Sequence, residues 1–519
     1  MESTTRLTPD DRPTKRAKTE EPDESMAIPE SNSIKKEEPT LDDLDDEDPY
    51  AGYDEKQENT RAADLYLDTV NRAALDFDFE KYFQGRGKSS HAYAHSIHED
   101  HHVFIHLETT EVYVLPDGYQ VSDPSLDDIK YVLSPRFSPA QIAKLRTDNI
   151  QTSYDLMSRP YIPGYVGLQN IKRNDYLSVI VQALLHVPPV RDFLLAMDGS
   201  TVPTPKTKPS AAPIKPVKQP SELVRRFAGL AKKVWNPRLF KSQVSPHEFL
   251  QEVARVSVGK FKITEQGDPV EFLGWLLNRI HADLGGTKKR GSSIIYSSFQ
   301  GEVRLETQQV IVKADAASGV KPHFDIDREI KQTTTPFLLL ALDLPPPPLF
   351  QDAVEKNIIP QVSLASLLAK YDGKTTQEFA GQLKRFRCTK LPPYIILHFK
   401  RFTKNNFVEE RNPTIVNFPI DGVDFSQATS AGTFARISQC TIIYDLVANV
   451  TQESAAGTTH DKESTVWKIH LRAGRGEREQ WFQIQDMIVE ETRKEMIFLG
   501  ETVVQIWELS RRVPVKGKA

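Results

Sequence analysis

The chain has 519 residues, 39% of them hydrophobic and 26% charged, with a formal net charge of −5. That length exceeds a single core and predicts roughly two to four folding units, while a charge so near balance gives little footing for binding nucleic acid by electrostatics alone. No run approaches the ~18 apolar residues of a membrane span, the segment Met1-Glu-Ser-Thr-Thr-Arg6 lacks a signal-peptide core, and two cysteines, Cys388 and Cys440, cannot build a disulfide framework. The expectation is a soluble, non-secreted protein of a reducing compartment with no membrane partner.

Residues 1–60 hold 19 Asp and Glu against 8 Lys and Arg, a charge of −11 that leaves +6 for the rest. Poor in aromatics and rich in Pro, Ser and acid, they predict a disordered acidic tail. Within it, Arg12-Pro-Thr-Lys-Arg-Ala-Lys18 fits a nuclear import cluster and Ile34-Lys-Lys-Glu37 a sumoylation pattern, though each also reads as solvated charge. A small unit is expected over residues 61–150. It opens on a helical pattern (Leu67, Val70, Ala73, Leu75), turns at Gly85-Arg-Gly87 and carries His91, His95, His101 and His102. The alternating runs His102-Val-Phe-Ile-His-Leu107 and Glu111-Val-Tyr-Val-Leu115 predict strands.

The second body is expected over residues 160–512. Gly167-Leu-Gln-Asn-Ile-Lys-Arg-Asn-Asp-Tyr-Leu-Ser-Val-Ile-Val-Gln182 reads as a loop feeding a helix, with Leu177, Ile180, Val181, Leu184 and Leu185 on one face. Asp175 falls at the helix N-terminus, where a carboxylate caps a free backbone N–H and contributes about 1 kcal/mol. A cysteine there would have its thiolate favoured by the helix dipole. Residues 198–220, with six prolines and several lysines, predict an exposed flexible insertion. Ser221–Trp235 and Asp268–His281 read as helices, the latter with Phe272, Trp275, Leu276 and Ile280 on one face. Strands are expected at Ser293–Phe299, Val303–Val312, Phe337–Leu342, Tyr394–Phe402, Thr441–Val450, Val466–Arg472 and Trp481–Gln485. A helical half followed by a strand-rich half is the pattern of an α+β fold.

Four ordered boxes over residues 164–510 resemble the ubiquitin-specific proteases: the Asp175 frame, Gln266-Gly-Asp-Pro-Val-Glu-Phe-Leu273, Leu391-Pro-Pro-Tyr-Ile-Ile-Leu-His-Phe-Lys-Arg-Phe402, and Tyr444–Val450 with Trp481-Phe-Gln-Ile-Gln-Asp486. The resemblance implies a papain-like fold, with a helical thumb and strand-rich palm and fingers, behind a small zinc-finger-like α+β unit and the disordered tail. It places the nucleophile at Asp175, the base at Val466, the base-orienting group at Gln485 and an oxyanion donor at Asn170, which alternatively reads as a loop-organising asparagine. Thiol proteolysis needs a nucleophile, a base and an orienting group, so the implied site is catalytically silent. His460 and His470 read as exposed or satisfied rather than as substitute bases.

Further runs, among them Asn170–Tyr176, Trp235-Asn-Pro-Arg238, Val244-Ser-Pro-His-Glu248, Arg401–Phe407, Asn412–Ile420, Ser90–His95 and Leu115-Pro-Asp117, resemble a spliceosome-associated branch of the family. That implies a non-catalytic nuclear scaffold assembling or holding the tri-snRNP for pre-mRNA splicing, with tri-snRNP proteins as partners and snRNA touched indirectly. Two other readings stand beside it: a deubiquitinase working with unconventional residues, and a ubiquitin-binding adaptor without catalysis. The family's finger carries a Cys-x-x-Cys pair before the Gly-Arg-Gly turn, whereas here Leu75–Lys81 runs into Tyr82-Phe-Gln-Gly85 with no cysteine. Zinc, bound in the family, would have only His91, His95, His101 and His102, and the expectation is a metal-free finger remnant with no cofactor.

Overall fold

The computed structural model describes residues 66–72 except 71, 88–146 except 108, 150–197, 220–313, 323–326, 330–346, 359–404 except 380, 409–425, 440–454 and 465–514. The acidic tail with its two short motifs, the cysteine-free stretch before Gly85, the Gly-Arg-Gly turn, His460 and all but the last residue of the 198–220 insertion lie outside these residues.

The N-terminal unit is built from short pieces. Ser90 caps the helix His91–His98 by accepting the Tyr93 N–H at 3.2 Å. A three-stranded antiparallel sheet follows (Val103–Ile105, Val112–Val114, Tyr119–Val121), then the helices Asp127–Leu133 and Pro139–Lys144, the second opened by a Ser138/Gln141 capping box. The helical pattern read from Leu65 through Leu75 lies partly outside the described residues, which hold the 3-10 turn Leu67–Thr69. Leu67 and Val70 pack against a small core of Val112, Leu126, Ile129, Val132 and Phe240.

The second body is α+β, as its sequence pattern predicts. Its thumb comprises the helices Asp175–Leu185, Pro188–Leu195, Glu222–Val234, His247–Val256, Pro269–Asp283 and Ile294–Phe299. Asp268 starts the fifth by accepting the Val270 N–H at 2.8 Å, with Pro269 in the first turn where its missing donor costs nothing. The last helix replaces the strand expected at Ser293–Phe299. Ser293 Oγ accepts the Tyr296 N–H at 3.2 Å and meets His281 Nδ1 at 2.7 Å, so a cap and a tertiary contact override the β-branched and aromatic composition.

The palm is an eight-stranded sheet in the order Leu339–Asp343, Tyr394–Lys400, Glu501–Pro514, Cys440–Ser454, Thr465–Ala473, Gln480–Gln485, Ile488–Thr492, with Val423–Asp424 beside Cys440–Ser454. Its first pair is parallel and the other pairs are antiparallel. The sheet separates two cores: Ala448, Val450, Trp467, Ile469 and Val504 face the thumb, while Leu397, Phe399, Tyr444, Leu446 and Trp507 face away. An antiparallel five-stranded sheet, with Gly301–Lys313 and Gln382–Lys390 at its centre, forms the fingers. Arg401 is fully buried and donates to the Thr502 carbonyl at 2.6 Å and the Asn412 carbonyl at 2.8 Å, which gives the Arg401 and Asn412 runs a structural reason.

Candidate active site

The helix Asp175–Leu185 lies between the palm and the other thumb helices, and all eleven of its residues are buried, so the amphipathic face read from the sequence becomes burial all round. Inside this core Gln182 Nε2 donates to the Val166 carbonyl at 2.7 Å. The loop ahead of the helix is held by asparagines. Asn170 Oδ1 accepts the Asn174 N–H at 3.1 Å, and Asn174 accepts from Ile171 N at 2.7 Å while donating to the Gln169 carbonyl and to Ser178 Oγ at 3.1 Å. Asn170 Oδ1 thus braces this loop.

Asp175 is not the cap. Asn174 occupies the N-cap position without a side-chain cap bond, and Asp175 is the first helical residue. Its carboxylate instead reaches across the junction, accepting from Gln266 Nε2 at 2.8 and 3.1 Å and from the Trp467 backbone N–H at 3.3 Å. The same Gln266 amide donates to the Thr465 carbonyl at 3.0 Å. One side-chain amide and one carboxylate thus tie the thumb helix, the loop before Pro269–Asp283 and the palm strand Thr465–Ala473 together. The corrected role has a simple physical basis: Asn174, with both a donor and an acceptor on its side chain, closes the loop locally through Ile171, Gln169 and Ser178, which leaves the Asp175 carboxylate free for a tertiary bridge. Burial pushes the Asp175 pKa up, against hydrogen bonds from Gln266 and the backbone that favour the charged form.

The other assigned positions bring no proton-transfer chemistry. Val466, beside Trp467 and opposite Glu453 in the sheet, has no titratable atom. Gln485 ends its strand opposite Ile488 and is half-buried. His470 lies farther along Val466's strand, 4% exposed and bonded through Nε2 to Gln483 Oε1 at 3.2 Å, with burial pushing its pKa down to about 4. Sequence reasoning missed Asp486. It sits at φ 51° in the turn after Gln485, its backbone carbonyl accepts the Leu168 N–H at 2.9 Å, and its Oδ1 is buried without a partner. Burial raises its pKa, a hydrogen bond with Asn170 opposes the rise, and the Asp175 charge adds to it. Gly167 permits this close approach, because a Cβ there would stand 2.5 Å from Met487 Cα. Both Gln266 and Asp486 were within the resembling boxes; what the sequence lacked was a sign that they converge.

The histidines of the N-terminal unit do not assemble a metal site. His95 Nε2 and His101 Nδ1 lie 2.9 Å apart in a hydrogen bond to each other. His102 has both nitrogens engaged, with the Leu115 carbonyl at 2.9 Å and Asp100 Oδ1 at 2.7 Å, and His91 is exposed at the start of its helix. A closed zinc site takes four ligands, usually with thiolates, and no group of three or more candidate ligand side chains converges among the described residues. The donor set present does not fit zinc.

A model of the ubiquitin carboxyl-terminal hydrolase family matches residues 166–507, and one of the zinc finger in ubiquitin hydrolases matches residues 80–126. A probable mRNA-splicing protein of Schizosaccharomyces pombe, ubp10, is 44% identical over 86% of this chain and 88% of its own length. Human ubiquitin carboxyl-terminal hydrolase 39 is 42% identical over 85% of this chain and 79% of its own. The crystal structure of an essential yeast splicing factor superposes with a TM-score of 0.63 at 28% identity, covering 86% of this chain and 100% of that one.

Proposed function

We propose that this chain, which belongs to the ubiquitin carboxyl-terminal hydrolase family, serves pre-mRNA splicing in the nucleus as a non-catalytic scaffold of the tri-snRNP. The splicing role is supported by relatives named as splicing proteins that match nearly the whole chain. The non-catalytic reading rests above all on the Asp175 carboxylate, which replaces a nucleophile with a group already accepting hydrogen bonds from Gln266 and Trp467. A thiol protease activates its nucleophile through a base within hydrogen-bond reach, and Val466 supplies none. The N-terminal unit serves this scaffold as a metal-free packing module, and the partners are tri-snRNP proteins.

Two measurements test the reading together. Hydrolysis of a ubiquitin–aminomethylcoumarin conjugate by the purified chain should stay at the buffer rate, and turnover above it would restore the enzyme reading. Pull-down of the tagged chain from nuclear extract should recover tri-snRNP RNAs and proteins; their absence would remove the scaffold assignment.

A further inference from the structure

Away from the Asp175 junction, a cleft of about 1030 Å³ opens where the end of the N-terminal unit meets the thumb. That volume is at the upper end of the roughly 300–1,000 Å³ of ligand pockets. Its wall includes an aromatic group: the Tyr165 and His186 rings lie 4.7 Å apart, His186 and Trp235 lie 5.4 Å apart, and the Arg191 guanidinium stands 4.8 Å over the Trp235 ring. Tyr165 is fixed by donating to the Arg472 carbonyl at 2.6 Å.

The polar lining is lopsided. It has five cations, Lys144, Arg146, Arg191, Arg472 and Arg475, against two carboxylates, Asp192 and Glu508. Both carboxylates are already engaged: Asp192 takes Arg146 at 2.5 Å and Arg191 at 2.8 Å, and Glu508 pairs with Arg475. Arg472 is partly neutralised from behind by Asp421 at 2.6 Å and Glu479 at 3.2 Å. Arg146 and Arg475 remain 66% and 43% exposed, and because Asp192 is shared by Arg146 and Arg191 the rim keeps a surplus of positive charge there. His186 adds a neutral feature. Its Nδ1 meets the Gln182 carbonyl at 2.7 Å and so carries the proton, burial pushes its pKa down to about 4, and its buried Nε2 has no partner.

We propose that this cleft docks an extended peptide segment of a protein partner, with an aromatic side chain against Tyr165 and Trp235 and flanking acidic side chains on Arg146 and Arg475. Aromatic anchors in a pocket with a charged rim are a common mode of peptide recognition, and five cations against two carboxylates is too small a surplus for a phosphodiester strand, whose binding rests on many phosphate contacts. The inference does not depend on the splicing reading, since it concerns a surface of the purified chain.

The test is fluorescence polarisation of the full chain with fluorescein-labelled Asp-Glu-Phe-Glu-Asp, against the same peptide with Lys for its acids or Ala for its Phe. Saturable binding is expected, weakening with salt, with both control peptides at least about tenfold poorer. The double variant Arg146→Glu/Arg475→Glu should lose at least about tenfold as well. Lys260→Glu, an exposed charge reversal elsewhere, should leave binding unchanged, and circular dichroism with thermal melting should show both variants folded. Absence of saturable binding, equal binding of the lysine peptide, or indifference to the double variant would overturn the proposal. So would binding of labelled oligouridine, lost in the double variant, without peptide binding.

Discussion

The thumb and palm junction and the N-terminal unit have each departed from the chemistry their family resemblance implies, with opposite structural results. At the junction the replacement residue is absorbed: Asp175 takes three hydrogen bonds and becomes a brace between three segments. In the N-terminal unit the thiolates the resemblance implies are missing, His95 and His101 bond to each other, and the unit leans on its neighbour. Phe240, from the segment that follows the thumb helix Glu222–Val234, completes its small core, and Arg238 stands 5.3 Å over the Tyr131 ring. A carboxylate at the junction can be accommodated from within because it sits inside a large core. A small unit has few apolar residues of its own to bury, so packing against the next body through Phe240 adds to its stability.

The largest expected effect breaks the dependence of the small unit. Phe240→Ala should cost about 3–5 kcal/mol locally and accelerate amide exchange at Val112–Val114 and Ile129–Val132, while the palm strand Tyr394–Lys400 stays protected. Equal loss of protection in both places would show that the two bodies unfold as one. Next, Asp175→Leu should destabilise the main body by about 1–3 kcal/mol for each donor it strands at Gln266 and Trp467, read as a lower urea midpoint. An unchanged midpoint would mean the brace holds nothing.

A smaller effect follows from the two acids of the junction. The pKa values of Asp175 and Asp486 are raised in the fold, chiefly by burial. Their favourable contribution is present below the unfolded carboxylate value of about 4 and is lost as pH rises through the folded values. Asp486→Asn should therefore flatten the fall in stability with rising pH and raise stability at neutral pH, since asparagine tolerates positive φ. A steeper pH dependence in that variant would contradict the assignment. The smallest expected effect is none at all: Asp175→Cys should show no hydrolysis of a ubiquitin conjugate, because Val466 still offers no base.

Much of the main body was legible in its sequence because periodicity survives in long elements. Pro269–Asp283 and Thr465–Ala473 fall within a few residues of expectation, and the α+β order follows. What failed did so through contacts that no local pattern encodes. Ser293–Phe299 reads as a strand by composition, yet Ser293 caps a helix and meets His281 from the preceding one. The Asp175 position was legible, but its partner was not. A carboxylate before an apolar run looks like a cap, and only the tertiary placement of Gln266 and Trp467 turns it outward. Asp486 stood beside an assigned residue and was passed over, since its importance comes from a turn that buries it near a second acid.

The brace also has a consequence in time. Gln266 is 91 positions from Asp175 and 199 from Thr465, so its single amide joins segments that stay far apart along the chain until both halves have formed. Contacts of such separation carry the entropy of closing long loops and belong late in assembly. The position where a nucleophile would stand has thus become a seal on the finished molecule, closing only when helical half and sheet have found each other.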